Sequence, residues 1–118
     1  MTDQIKTKPI VTVLLPVAGS DYESIKSAID SILNQTLKNI LLICIVDEPD
    51  DEYLKKLILS YESHLTPKVI VLLNENKQGI AESLNRAAMH VNSKYIARMD
   101  ADDFSLTNRL QLQYDFME

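Results

Sequence analysis

Apolar positions along this chain alternate between two spacings, and the alternation lays out its elements. Ile10-Val11-Thr12-Val13-Leu14-Leu15 reads as a strand, closed by Pro16, which has no amide hydrogen to give to a ladder. Ile25, Ala28, Ile29, Ile32 and Leu33 follow the three-and-four spacing of one helical face. Ser20 or Asp21 is the natural N-cap, with Glu23 or Ser24 in the first turn. Ile40 to Val46 is seven apolar residues without alternation, the mark of a strand covered on both faces. A second helix is predicted from about Asp51 to Ser63, with Leu54, Leu57, Ile58 and Tyr61 inward, and Val69 to Leu73 is a third strand. After Gly79, a third helix is marked by Ile80, Leu84, Ala87, Ala88 and Val91. Tyr95 to Met99 reads as a fourth, buried strand, and Leu106, Leu110, Tyr114 and Met117 begin another helical face.

Strands that are apolar throughout and alternate with helices describe an α/β fold, a parallel sheet with right-handed crossovers. The 118 residues are expected to form a single domain, 1–118. Met1 to Lys8 is a polar leader, and the chain stops at Glu118 inside a helical pattern without a capping signal, as if cut. A net charge of −5 speaks against a nucleic-acid partner, which needs a basic face. Lys and Arg are scattered, so an anionic membrane surface is no better suited. The single cysteine, Cys44, sits inside an apolar run and reads as a core thiol. No internal disulfide can form, which suits a reducing cytoplasm. No apolar run approaches the length of a membrane span, and no signal segment is visible.

The chemistry gathers where the strands end. In open parallel sheets ligands bind beyond the carboxyl ends of the strands, where the strand order reverses. Those ends carry Pro16-Val17-Ala18-Gly19, Asp47-Glu48, Asn74-Glu75-Asn76 and Asp100-Ala101-Asp102-Asp103, so acids collect at three of the four. Asp100 and Asp102 are two apart and point the same way in an extended segment. Together they can hold Mg²⁺ or Mn²⁺ while a diphosphate and water fill the remaining positions. The bland alternative is that Asp102 or Asp103 caps the next helix and Asp100 is merely solvated. Asp47 or Glu48 could accept hydrogen bonds from a uracil imide or a ribose hydroxyl, or could belong to a solvated acidic loop. Gly79 permits a positive φ or close approach to a ligand, though a plain turn explains it equally. Arg98 and Arg109 flank the acidic loop and could balance its charge or touch phosphate. His64 and His90 read as helix-surface residues, without ligand-like spacing to each other or to Cys44. There is no Walker A sequence, G-x-G-x-x-G or nucleophile elbow, so any phosphate binding runs through metal and carboxylates.

From Ile10 onward the chain resembles the amino-terminal, nucleotide-sugar-binding half of a family 2 glycosyltransferase of the GT-A fold. The resemblance rests on Val11-Thr12-Val13-Leu14-Leu15-Pro16, on Ser27 through Thr36, on Ile45-Val46-Asp47 and on Asn76-Lys77-Gln78-Gly79-Ile80-Ala81 with Leu84-Asn85. Tyr95 through Asp103 and Arg109-Leu110 with Gln113 and Phe116-Met117-Glu118 complete it. It implies a three-layer Rossmann-like parallel sheet of strand order 3-2-1-4, with helices on both faces. It implies a nucleotide-diphosphate sugar as donor, a UDP-sugar before others, a divalent metal, and transfer to an acceptor hydroxyl with inversion. Carried over by position, Pro16, Val17 and Ala18 line the base pocket, and Asp47 and Glu48 face the base or ribose. Gly79 and Ala101 adjoin the donor, Asp100 touches its nucleoside side, and Asp102, with Asp100, ligates the metal. Ala18-Gly19 stands where the family has an aromatic residue and Asn, and Glu48-Pro49-Asp50 replaces a second aspartate followed by Gly-Ser. The acceptor site and the catalytic base lie beyond this region in the family, so no catalytic residue is expected in this chain, which alone should be inactive. The surface left by a missing half is expected to favour self-association.

Other readings fit less well. A sugar-phosphate nucleotidyltransferase wants a glycine-rich signature after the first strand. A haloacid-dehalogenase-type phosphatase carries its acids on the first strand, followed by Thr. A receiver-like domain needs a distal lysine. The alternative from another class is a non-catalytic binding or assembly module that keeps the fold without a donor pocket.

Overall fold

The computed structural model describes residues 8–118; the leader expected over Met1 to Lys8 falls almost wholly outside them. Four strands, β1 (Val11–Val17), β2 (Ile40–Val46), β3 (Lys68–Leu73) and β4 (Tyr95–Arg98), form one all-parallel sheet of order β3-β2-β1-β4. Helices α1 (Tyr22–Leu33), α2 (Glu52–Leu59), α3 (Ile80–Ala88) and α4 (Arg109–Met117) connect or follow them. The expected α/β fold, strand order and three layers are all present.

Alternation along the strands sorts the core into two faces. Val13, Leu15, Leu42, Cys44 and Val71 pack against α1, α2 and Leu110 of α4. Leu14, Leu41, Ile43 and Ile45 pack on the other face against Ala87, Leu84 and Val91 of the α3 segment. Asp21 caps α1 by accepting from the Ser24 amide at 3.2 Å, and Asp51 caps α2 through Leu54 at 2.9 Å. Cys44 is fully buried, and loss of hydration pushes its thiol up to about 12, so it is inert at neutral pH.

Several elements differ from the sequence reading, each for a local reason. Pro16 lies inside β1 rather than ending it. Tyr95 donates to the Ile10 carbonyl at 3.1 Å and Met99 to Leu14 at 3.0 Å, whereas Asp47 donates to Val17 at 2.8 Å. Even-numbered residues of β1 therefore turn their backbone groups to β4 and odd-numbered ones to β2. The hydrogen that Pro16 lacks falls on the β4 side, beyond the last β1–β4 pair, Leu14↔Arg98.

Helix α2 stops at Leu59 instead of near Ser63, because Ser63 exchanges backbone hydrogen bonds with Val69 at 3.2 and 3.1 Å. His64 is thereby placed in an exposed loop, and His90 lies just past the end of α3, so neither is on a helix surface. On α3 the buried positions are Ser83 and Ala87, while Ile80 is half exposed. Strand β4 is an edge strand with alternating burial, its Ile96 open to solvent. Leu106 and Met117 are exposed too, leaving Leu110 as the buried residue of the last helical face. No helix among the described residues is long and apolar enough to cross a membrane.

Ile43 is wholly buried in the central strand β2 and Leu65 is mostly exposed. Ile43→Ala is expected to cost about 2–5 kcal/mol of unfolding free energy; Leu65→Ala should cost about 0.5 kcal/mol or less. Urea unfolding of the two variants measures the contrast.

Candidate functional site

Because β1 runs three residues past its last pairing with β4, the sheet parts at its carboxyl edge. A cavity of about 380 Å³ occupies the opening, lined by Pro16, Val17, Ala18, Asp47, Asp100, Ala101 and Asp102. Seven of the nine expected site residues thus meet in one place, acids from the ends of β2 and β4 included. Its volume falls within the range of pockets that enclose small ligands. A larger hollow of about 540 Å³ between β4 and α4 is lined by Ile96, Leu112, Phe116 and Met117 among others and carries no acid. The smaller cavity is the one that joins acids from the ends of β2 and β4.

Asp47 is buried, and both oxygens of its carboxylate accept hydrogen bonds from protein. One oxygen accepts from Asn74 Nδ2 at 2.9 Å and the Gln78 amide at 2.8 Å; the other accepts from the Gly79 amide at 2.9 Å. Burial acts to raise its pKa, but hydrogen bonds from Gln78, Asn74 and Gly79, with Lys77 nearby, outweigh it and hold the group below its ordinary value. The anion also sits at the start of α3, where the helix dipole favours it. Gly79 adopts φ +87°, with nothing within 4 Å of a hypothetical Cβ. Its need for glycine is conformational and not a matter of close approach.

Asn74 is the junction behind Asp47 and was not singled out by sequence. Its second amide hydrogen goes to Ser83 Oγ at 2.9 Å, and its oxygen accepts from Arg86. Strand register supplies the reason: Val46 pairs with Leu73, which sets Asp47 and Asn74, the first residues past β2 and β3, side by side. Glu48 and Gly79 stand behind the cavity wall. The Glu48 carboxylate accepts from the Gly19 amide and pairs with Lys77 at 3.2 Å, bracing the β1–α1 loop against the loop before α3. Glu75 lines a separate polar hollow beyond β3 and does not join the other acids.

The acids after β4 are solvent-exposed, in contrast to Asp47. Carboxylate oxygens of Asp100, Asp102 and Asp103 lie within 4.8 Å of one another. The turn closes on itself: the Asp103 amide donates to the Asp100 carbonyl at 3.0 Å, and the Asp100 amide to Asp103 Oδ2 at 3.2 Å. Helix α4 starts at Arg109 behind Asn108, so neither Asp102 nor Asp103 caps it. A hard divalent cation takes carboxylate oxygens at about 2.0–2.6 Å, which puts ligands across one ion about 4–5 Å apart. The all-oxygen donor set and its spread fit Mg²⁺ or Mn²⁺.

A buried amide, also unpredicted, holds this loop in place. Gln35 donates to the carbonyls of Ser31 at 3.0 Å and Leu106 at 2.7 Å and accepts from the Leu110 amide at 3.0 Å. Ser105 donates to Ser31 Oγ at 3.0 Å. Arg109 is spent in the same way, on Ser105 Oγ at 2.9 Å and the Arg98 carbonyl at 3.2 Å.

Residues 12–118 match the family described as Glycosyl transferase family 2. An uncharacterized glycosyltransferase of Methanocaldococcus jannaschii, MJ1057, is 34% identical over 111 residues, which cover 94% of this chain and 38% of that protein. The chain therefore spans well under half the length of that relative. Among solved structures, Staphylococcus aureus TarS 1-349 in complex with UDP-GlcNAc superposes with a TM-score of 0.78 at 19% identity, over 91% of this chain and 30% of that one. The mannosyltransferase PcManGT of Pyrobaculum calidifontis, in complex with GDP-Man and Mn²⁺, superposes with a TM-score of 0.68 at 22% identity, over 83% and 29%. These likenesses establish a shared GT-A fold.

Replacing Asp47 by Asn sets an amide N–H₂ against a backbone N–H, and is expected to cost about 1–3 kcal/mol at neutral pH. Because the native carboxyl titrates below its unfolded value, its contribution is complete above about pH 4 and disappears as pH falls through the native value. The stability gap between wild type and Asp47→Asn should be constant from neutral to about pH 5 and shrink below about pH 4. Urea midpoints across pH read this directly.

Proposed function

The chain belongs to glycosyl transferase family 2, and from that premise we propose that it forms the donor site of an inverting, metal-dependent glycosyl transfer from a nucleotide-diphosphate sugar to an acceptor hydroxyl. The observation that carries this reading is the convergence of Asp47 with Asp100 and Asp102 on the one cavity where β1 parts from β4. Pro16, Val17 and Ala18 supply its floor, and the buried Asp47 its far wall. Asp102 and Asp100 hold the divalent cation, with Asp103 close enough to assist. When bound, the cation neutralises the diphosphate and stabilises it as a leaving group.

Each carboxylate does a different job. Asp47 is dry and committed to Gln78, Gly79 and Asn74, so it fixes the rim facing the nucleoside and presents its remaining lone pair there. Asp100 and Asp102 are solvent-exposed and can exchange water for metal. Ala18, a small residue in that floor, leaves base recognition to hydrogen bonds instead of stacking. Inversion requires a base on the face of the sugar opposite the diphosphate. No residue of this chain occupies that place in the proposal, so the base and acceptor site come from outside it and the isolated chain binds donor without turning it over. A uracil base suits the acceptor character of Asp47, which places a UDP-sugar first; the solved TarS complex with UDP-GlcNAc supports that choice. The PcManGT complex with Mn²⁺ supports the cation. The single buried thiol suits a reducing, cytoplasmic compartment.

A second reading, a binding module without donor activity, draws on one observation: Glu48 is tied to Gly19 and Lys77 and is withdrawn from the cavity. Isothermal calorimetry with UDP and Mn²⁺ separates the two. Metal-dependent binding that falls about tenfold or more in Asp102→Asn is the expected result. Binding that survives the substitution unchanged would refute the metal assignment, and no binding of any nucleoside diphosphate would favour the module.

A further inference from the structure

The cavity has several basic residues near it, and all but one are committed to holding loops. Lys77 is bound to Glu48 at 3.2 Å and to the Asp47 carbonyl at 3.2 Å. Arg86 is bound to Asn74 and to the Leu73 carbonyl at 2.9 Å. Arg109 braces Ser105 and the Arg98 carbonyl. Arg98 differs: among the described residues it is the one basic side chain lining the cavity, and one Nη makes one ion pair, at 3.1 Å, with Asp100 Oδ1. Both members are about half exposed, at 53% and 52%. Its other donors have no protein partner among the described hydrogen bonds, and its stem is anchored on β4 opposite Leu14.

Charge balance makes this pair exchangeable. Three carboxylates with oxygens within 4.8 Å repel one another, and Arg98 offsets one of those charges before any ligand arrives. A divalent cation bound by the three acids competes with the guanidinium for Asp100 and leaves the acid–metal cluster still negative by one charge. A diphosphate diester adds two more negative charges beside it, a like-charge contact that the cation alone does not cancel. A guanidinium freed from Asp100 stands at this rim, weakly hydrated and with a planar fork matched to phosphate oxygens.

Resting on the donor-site reading above, we propose that Arg98 is an exchangeable counter-ion: it pairs with Asp100 until the cation displaces it, then transfers to the diphosphate of the donor. It is a binding residue for the leaving group, and its resting pair with Asp100 is a competitor of the metal.

The two roles predict effects of opposite sign in one variant. Arg98→Met keeps the stem and removes the charge at an exposed position. Mn²⁺ without nucleotide, followed by electron paramagnetic resonance of the free ion, should bind Arg98→Met about two- to fivefold more tightly than wild type. UDP at saturating Mn²⁺, followed by calorimetry, should bind it about tenfold or more weakly. Uridine should bind both proteins alike, and Arg98→Lys should recover part of the UDP affinity. Changes of the same sign for Mn²⁺ and UDP, or no change in either, overturn the proposal while leaving the donor site standing. Failure of wild type to bind UDP with Mn²⁺ overturns the donor-site reading and this inference with it.

Discussion

The structure depends on an unequal pairing of its first strand. β1 is hydrogen-bonded to β2 along all seven of its residues but to β4 along only four, and the next β4-facing position is a proline. A residue with an amide there could continue the ladder; Pro16 cannot. The sheet therefore opens between β1 and β4 while remaining closed on the β2 side, at the reversal of strand order where parallel sheets bind ligands. Everything charged around the cavity is arranged with respect to that opening.

The acids on its two sides answer the cost of crowding negative charge in opposite ways. Asp47 is removed from water and satisfied by backbone amides and an amide side chain, so it is an element of the framework that also faces the cavity. Its partners reach outward through Asn74 to Ser83 and Arg86, tying β2, β3 and α3 into one rigid wall. Asp100, Asp102 and Asp103 remain in water, held near one another by their own turn and, from behind, by Gln35 and Ser31. A rigid wall facing a solvated cluster is suited to a ligand whose one end is read by hydrogen bonds and whose other end carries charge through a cation.

Much of this was legible in the sequence, and the parts that were not share a cause. The unbroken apolar run of β2 fixed its boundaries because a doubly covered strand tolerates no polar residue. The spacing of Ile25, Ala28, Ile29 and Ile32 located the inner face of α1 for the same reason. The meeting of Asp47 with Asp102 at one cavity followed from strand ends together with the strand order that the family resemblance implied. Where the reading failed, a partner distant in sequence decided the outcome. Ser63 shortens α2 by bonding to Val69; at the sheet edge β4 alternates between half-buried and exposed residues, where an apolar run had suggested burial throughout. Pro16 looks like a strand terminator in any local window, yet β1 runs on through it beside β2 because its nitrogen faces the β4 side. Asn74 and Gln35 are polar residues in polar surroundings, and their burial depends on the register of strands and on the path of a loop some seventy residues away.

The central claim is that the ends of β1, β2 and β4 bind one ligand together. Amide chemical shifts in a titration with UDP and Mg²⁺ test it most directly. Val17, Ala18, Asp47 and the Asp100–Asp103 turn should move together along a single binding curve. Separate curves for the Asp47 side and the Asp100 side, or shifts confined to one of them, would contradict the account.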